Sequence, residues 1–260
     1  MSKLFDLSGK VALVTGGNGG IGLGMADALA QCGASLAIWG TNPDKNIAAL
    51  EKLRAHGVEA ESWICNVADR SAVFDTTAKV LERFGRIDGC FANAGVSGRG
   101  AKSFLEIDPQ EWARVMTINV DGVYHTYQAV LTHMVERAEK GDPGGRLVAV
   151  SSLASVSGAA RNEHYAATKG ALNAMTYALS VEFARYGITA NAILPGWIAT
   201  DMTANATSNE KFQRNVGTRI PVRRWGEPDD FGGIAVYLMS DASAYHTGQT
   251  IMIDGGYWRF

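Results

Sequence analysis

The sequence predicts a doubly wound parallel α/β sheet of seven strands with helices on both faces. Short apolar runs rich in β-branched residues alternate with longer segments of helical periodicity. Most of the strand-like runs are apolar at consecutive positions, as strands buried on both faces are. Strand–helix alternation then requires parallel pairing through right-handed crossovers.

Taken in order, the strands are KVALVT (10–15), SLAIW (35–39), EAESWIC (59–65), IDGCFA (87–92), GRLVAVS (145–151), ITANAIL (188–194) and TIMID (250–254). Helical stretches lie between them at 21–32, 43–56, 70–84, 109–138, 163–185 and 227–239. In the first helix Ile21, Met25 and Leu29 recur every fourth residue and mark one buried stripe. The second opens with Asn42 as cap and Pro43 at its first position, where a missing N–H costs nothing. EKGDPGG (139–145) reads as a helix stop and turn rather than a linker. With no repeat and no long Pro/Gly/Ser stretch, residues 1–260 are expected to form a single domain.

One segment breaks the rhythm. Residues 197–226 are polar, helix-like in places, and interrupt the step from the sixth strand to the last helix. Ligands of open α/β sheets sit beyond the carboxyl ends of the strands, so this insertion is expected to be a substrate lid; a long surface loop is the alternative.

Composition limits the partners. With 47% hydrophobic and 19% charged residues, and a formal net charge of −2, the chain offers no electrostatic reason to bind nucleic acid or an anionic membrane. The start, MSKLFDLSGK, lacks an apolar signal core, and no uncharged run approaches the ~20 residues of a membrane span. A soluble cytoplasmic protein is expected. Cys32, Cys65 and Cys90 are scattered and odd in number, which fits buried thiols in a reducing compartment. The five histidines show no ligand spacing, so no catalytic metal is expected.

Directly after the first strand comes TGGNGGIG (15–22), with a helix opening inside it. Gly16, Gly20 and Gly22 would allow a tight turn, close approach of the backbone to a pyrophosphate, and close helix–strand packing. YAATK (165–169) places Tyr165 and Lys169 one helical turn apart on one face. Alone, such a pair is ordinarily a surface feature. Further segments give it company: NAG (93–95), Asn119 in INVDG, VSS ending at Ser152, PGWIATDM (195–202) and IMIDGG (251–256).

The TGxxxGxG spacing and these segments, in this order, resemble the short-chain dehydrogenase/reductase family over residues of about 8 to 256. The resemblance implies a Rossmann-like NAD(P)-binding domain and hydride transfer between a nicotinamide and a carbonyl or secondary alcohol. It implies Tyr165 as general acid/base, Ser152 as the hydroxyl bonded to the substrate oxygen, Lys169 as holder of the nicotinamide ribose, and Asn119 as positioner of a relay water. Ser151 competes with Ser152 and loses on spacing. Asn119 as a buried tie between helix and strand backbone is the plain alternative. A free phenol has a pKa near 10, and a neighbouring cation would favour its ionised form, which makes Tyr165 beside Lys169 a tunable acid/base.

The resemblance also implies cofactor contacts. They are Gly16, Asn18, Gly19, Gly20, Ile21 and Gly22 in the turn; Gly40, Thr41 and Asn42 after the second strand; and Asn66 and Val67 after the third. Asn93, Ala94 and Gly95 follow the fourth strand, and Pro195, Gly196, Ile198 and Thr200 follow the sixth. Asn66 stands where many relatives have an aspartate, so the adenine contact is expected to persist without charge. WGTNPDK offers no acid to repel a 2′-phosphate, while Thr41, Asn42 and Lys45 could bond one; Gly19 occupies a loop position that is basic in many NADP-dependent relatives. NADP(H) is therefore slightly favoured over NAD(H).

Segments 96–104, 153–164 and 197–226 should line the substrate pocket, with Arg161, Asn162 and Trp197 contributing to it. His164 is expected to point outward or into an interface. The candidate substrates are a small alcohol or ketone: a polyol or sugar acid, a cyclic alcohol, or a 3-oxoacyl thioester. The aromatic end, GYWRF, is expected to pack Tyr257, Trp258 and Phe260 on the sheet edge or a neighbouring subunit. Family members are commonly tetramers, so a homotetramer is expected. A non-catalytic NAD(P)-binding sensor or scaffold is the alternative function.

Overall fold

The computed structural model describes residues 3–259, so the expectation for Phe260 lies outside the described residues. Seven strands, β1 (Val11–Thr15), β2 (Ser35–Gly40), β3 (Ala60–Ile64), β4 (Gly89–Ala92), β5 (Gly145–Val150), β6 (Ile188–Pro195) and β7 (Thr250–Ile253), form one sheet in the order 3-2-1-4-5-6-7. Every pairing is parallel, with Thr15 beside Trp39 on one side and Ala92 on the other. The order reverses between β1 and β4, and that switch point opens a crevice at the strand carboxyl ends.

Alternation along each strand feeds two cores. Ala12, Val14, Leu36 and Ile38 face α1 (Gly20–Gln31) and α2 (Pro43–Arg54), while Leu13, Ala37 and Trp39 face the other way, toward α3 (Arg70–Phe84). Both faces are covered, which is why the strands read as continuous apolar runs. Local signals set the helix ends: Asn42 Oδ1 accepts from the Lys45 N–H at 3.0 Å, Asp69 accepts from Ser71 and Ala72, and Gly85 closes α3 at φ 74°.

The expected helix over 109–138 is divided. α4 (Pro109–Met116) and α5 (Gly122–Glu139) are joined by a π turn over Thr117–Asp121. Gly122 fits there because a Cβ would sit 2.7 Å from Val67 Cγ2. A short helix, α6 (Ala154–Ser157), precedes α7 (Glu163–Glu182), which carries Tyr165 and Lys169.

Residues 197–226 hold more helix than a loop: a 3-10 turn (Asp201–Thr203), α8 (Ala204–Thr207) and α9 (Glu210–Arg219). Ile198 bridges to Gly226, and Ala199 N–H donates to the Gly226 carbonyl at 2.9 Å, so the two ends of the segment are pinned together. The chain then re-enters the body through a 3-10 turn (Pro228–Phe231) and α10 (Gly232–Met239). No helix among the described residues is long and apolar enough to cross a membrane. Cys65 and Cys90 are buried and Cys32 is partly so; burial pushes all three thiols up.

Candidate active site

A cleft of about 290 Å³ opens beyond the carboxyl ends of β1, β4, β5 and β6. The glycine turn forms one wall. Gly16 (φ 63°) and Gly20 (φ 49°) lie in the left-handed region, which glycine enters without strain. At Gly22 a Cβ would come within 2.3 Å of the Gly16 carbonyl oxygen, so only glycine lets α1 pack this tightly on the turn. Asn93 braces the opposite strand: its Nδ2 donates to the carbonyls of Thr15 (3.1 Å) and Gly16 (3.2 Å), while Thr15 Oγ1 accepts from the N–H groups of Asn93 and Ala94.

The amino end of α1 has no side-chain cap, and nothing lies within 4 Å of where a Gly19 Cβ would stand. Gly19, Gly20 and Ile21 line the cleft, so the partly positive end of the helix borders it, the condition a pyrophosphate meets. The residues present fit a dinucleotide.

α7 supplies Tyr165 and Lys169, the side chains expected to carry the chemistry. Lys169 is 4% exposed, and its Nζ donates to the Val150 carbonyl at 2.8 Å. Burial, with no carboxylate beside it, drops its pKa to about 8. The same ammonium lies 5.5 Å from the Tyr165 ring centroid. The phenol is pushed up from its ordinary value by burial, against a hydrogen bond with Ser152 that lowers it. The largest influence on Tyr165 is thus desolvation of the phenolate, and it raises the phenol in place of the expected lowering by Lys169. Ser151 and Ser152 both line the cleft, but Ser151 Oγ is spent on the Lys169 carbonyl at 2.8 Å, which leaves Ser152 as the serine to serve a ligand there.

Asn119 sits in the π turn, fully buried, behind Gly95. Its Oδ1 accepts from Val96 N–H (2.8 Å), and its Nδ2 donates to the Val96 carbonyl (2.9 Å) and Thr168 Oγ1 (3.1 Å). The side chain clamps the strand-four loop to α7.

Of the expected cofactor contacts, Gly16, Asn18, Gly19, Gly20, Ile21, Asn93, Ala94, Gly95, Pro195, Gly196, Ile198 and Thr200 line the cleft. Gly22 lies beneath the turn, and Gly40 is a packing position where a Cβ would meet Asn18 Nδ2 at 2.1 Å. Thr41 and Asn42 are exposed beyond β2, Asn66 is exposed with Oδ1 accepting from Ala68 N–H at 3.1 Å, and Val67 is buried against Gly122. Asp201, Met202 and Thr203, in the segment expected to line the substrate pocket, also line the cleft. Asp201 and Met202 fall in PGWIATDM, and the fold of the 197–226 segment brings all three there.

Around the mouth, Asn162 joins two expected pocket loops, donating to Ser97 Oγ (2.9 Å) and accepting from Gly98 N–H (3.1 Å). Arg161 beside it is exposed and takes a φ of 68°, a conformation that costs a non-glycine residue about 1–2 kcal/mol. Trp197 is an aromatic hub, with ring centroids of Phe212, Trp225 and Tyr257 at 5.1, 5.6 and 6.5 Å. Tyr257 therefore packs on the base of the lid-like segment, with Arg219 over its ring, rather than on the sheet edge; Trp258 is 41% exposed.

His164 corrects an expectation. Instead of facing outward it is 1% exposed, stacked on Trp112 at the wall of a second cavity with Glu111 and Arg114. The absence of a side chain at Gly98 makes the room, since a Cβ there would stand 2.4 Å from the imidazole.

A buried lysine one helical turn from a cleft-lining tyrosine, beside a glycine-rich wall on a 3-2-1-4-5-6-7 parallel sheet, is the arrangement of an NAD(P)-dependent oxidoreductase. The chain belongs to the short-chain dehydrogenase/reductase family. A family model described as enoyl-(acyl carrier protein) reductase matches residues 16–258. Among relatives, the gluconate 5-dehydrogenase of Gluconobacter oxydans is 36% identical over 253 residues, covering 97% of this chain and 96% of its own. The sorbose reductase of Schizosaccharomyces pombe is 37% identical over 267 residues, covering 99% of each. The crystal structure of a gluconate 5-dehydrogenase from Burkholderia cenocepacia, in complex with NADP and tartrate, superposes with a TM-score of 0.92 at 34% identity, covering 99% of this chain and 98% of that one.

Proposed function

We propose that this enzyme interconverts a ketone and a secondary alcohol on a polyol or sugar acid, with NADP(H) favoured over NAD(H). The observation that carries the reading is Tyr165 and the buried Lys169 side by side, with Ser152 beside them, in the glycine-walled cleft. The polyol or sugar-acid class is supported by relatives named gluconate 5-dehydrogenase and sorbose reductase, and the NADP(H) preference by similar structures holding NADP. It is also supported by the absence of an acidic residue in Gly40–Thr41–Asn42.

A nicotinamide held in the cleft would supply or accept the hydride. Ser152 Oγ holds the carbonyl oxygen against Tyr165, and the phenol gives that oxygen its proton in reduction and takes it back in oxidation. Because burial raises the phenol's pKa, Tyr165 is protonated throughout the neutral range, which suits it to donate. Lys169, anchored on Val150, presents its positive charge to the phenol and to the ribose hydroxyls. Asn119 acts as a positioning residue, holding Val96 and α7 at a fixed separation; with its amide spent on protein groups, a relay water would need another partner. Residues 197–226 form the substrate lid, the whole chain is one domain, and the assembly is a homotetramer, which light scattering at micromolar concentration would contradict by returning a monomer.

The test is spectrophotometric. Purified protein mixed with NADPH or NADH and a panel of keto-sugar acids, ketohexoses, cyclic ketones and 3-oxoacyl thioesters should consume NADPH fastest with a member of the first two groups. Tight cofactor binding without turnover on any of them would favour a sensor or scaffold instead.

A further inference from the structure

Lys45 and Lys169 are the two basic residues that line the cleft. Lys169 is buried and bonded to Val150, so among the described residues that line the cleft Lys45 is the base accessible to a further anion. It stands in the first turn of α2, just beyond β2, and its Nζ pairs with Asp201 Oδ2 at 2.5 Å across the cleft mouth. The partners are 156 residues apart in the chain.

Asp201 is the first residue of the turn that leads into α8 and α9. That turn is held by Thr203, whose Oγ1 accepts from Thr200 N–H at 3.0 Å and donates to the Ile198 carbonyl at 2.6 Å. The cofactor side of the cleft and the start of the lid are thus joined by one solvent-exposed ion pair, with side chains 51% and 86% accessible. Such a pair contributes little by itself and is readily exchanged.

We propose that Lys45 is a cofactor-discriminating residue that exchanges partners: the 2′-phosphate of NADP(H) takes Lys45 from Asp201 and loosens the 201–219 segment, so that cofactor choice and lid position are coupled. A phosphate monoester carries about −1.5 to −2 charges near neutral pH, against one on the carboxylate, so it wins the lysine at comparable distance. Once phosphate holds Lys45, Asp201 faces a like charge and has no reason to stay. The neutral ribose diol of NAD(H) offers no competitor, and the Lys45–Asp201 pair persists. A ligand that favours one of two arrangements shifts the population by its differential affinity, and here that difference resides in one phosphate. The proposal rests on the reading of the cleft as the dinucleotide site.

Calorimetric titration with 2′,5′-ADP and with 5′-AMP, which lack the nicotinamide, tests it on the whole protein. Asp201→Asn should tighten 2′,5′-ADP by about 3- to 5-fold and leave 5′-AMP unchanged. Lys45→Met should weaken 2′,5′-ADP by roughly 10-fold, again sparing 5′-AMP, and abolish the effect of Asp201→Asn in the double variant. Hydrogen exchange across 201–219 should accelerate on adding 2′,5′-ADP and not 5′-AMP. Both side chains are exposed, so circular dichroism should show the variants folded. If 2′,5′-ADP affinity is indifferent to Lys45→Met, or exchange in 201–219 responds alike to both nucleotides, the partner exchange is wrong while the dinucleotide site stands. If neither nucleotide nor NADPH binds, the site reading fails and takes this proposal with it.

Discussion

Two lysines in one cleft are housed in opposite ways. At the floor, Lys169 is almost wholly buried, bonded to a backbone carbonyl, and its pKa falls to about 8. At the mouth, Lys45 is half in water and paired with an aspartate more exposed than itself. Burial makes charge expensive and therefore consequential at the floor, whereas solvent screening makes it cheap and exchangeable at the mouth. The floor suits a fixed chemical step and the mouth a choice between similar cofactors.

The sharpest way to break this contrast is at the floor. Tyr165→Phe removes the proton and keeps the ring, so kcat should fall by roughly 10²- to 10⁴-fold while the cofactor dissociation constant, read by nicotinamide fluorescence, stays nearly constant. In the unaltered enzyme, carbonyl reduction should persist to higher pH than a free tyrosine would allow, because the phenol is raised, and alcohol oxidation should climb as the phenol ionises.

Next in size is the effect of pH on stability. Lys169 binds its proton less readily folded (about 8) than unfolded (10.5), so the unfolded chain holds more protons between those values and stability should rise with pH across that window. The gain has an upper limit of about 3 kcal/mol. Lys169→Met, compared with the unaltered protein by urea denaturation from pH 7.5 to 10, should lack this rise. Tyr165 works in the opposite direction above pH 10, where its raised pKa makes the folded state the better proton binder and stability falls.

The glycine wall should respond sterically instead. Gly22→Ala drives a Cβ to 2.3 Å from Gly16 O and 2.4 Å from Asn93 Nδ2. A cost of about 1–3 kcal/mol and weaker NADPH binding should appear together in thermal shift with and without cofactor. The smallest effect belongs to the mouth. Asn42→Ala removes the cap on the Lys45 N–H and should cost about 1 kcal/mol with little change in kcat; a large loss of turnover would show that the mouth takes part in the chemical step just as the floor does.

How far each part could be read from the sequence follows the range of the forces involved. The glycine turn, the Asn42–Pro43 helix start and the Tyr165–Lys169 pair are local patterns, and all appear where spacing puts them. Counting along the chain separates Ser152 from Ser151, and the structure supplies the reason: Ser151 is bonded to the Lys169 carbonyl. His164 defies a sequence reading because its burial depends on a missing side chain at Gly98 and on Trp112, neither adjacent in sequence. The π turn at Asn119 is hidden for a similar reason, since helical periodicity does not register one extra residue within a turn.

By itself the sequence determined the parallel sheet, the glycine-rich turn and the placement of Tyr165 beside Lys169, because alternation, glycine placement and a one-turn offset act over a few residues. Tertiary structure alone decided that burial raises the Tyr165 phenol, that Asn119 is spent on backbone and Thr168, and that Asp201 reaches Lys45 across the cleft. Those outcomes depend on desolvation and on contacts between distant segments, and neither exists until the chain has closed around them.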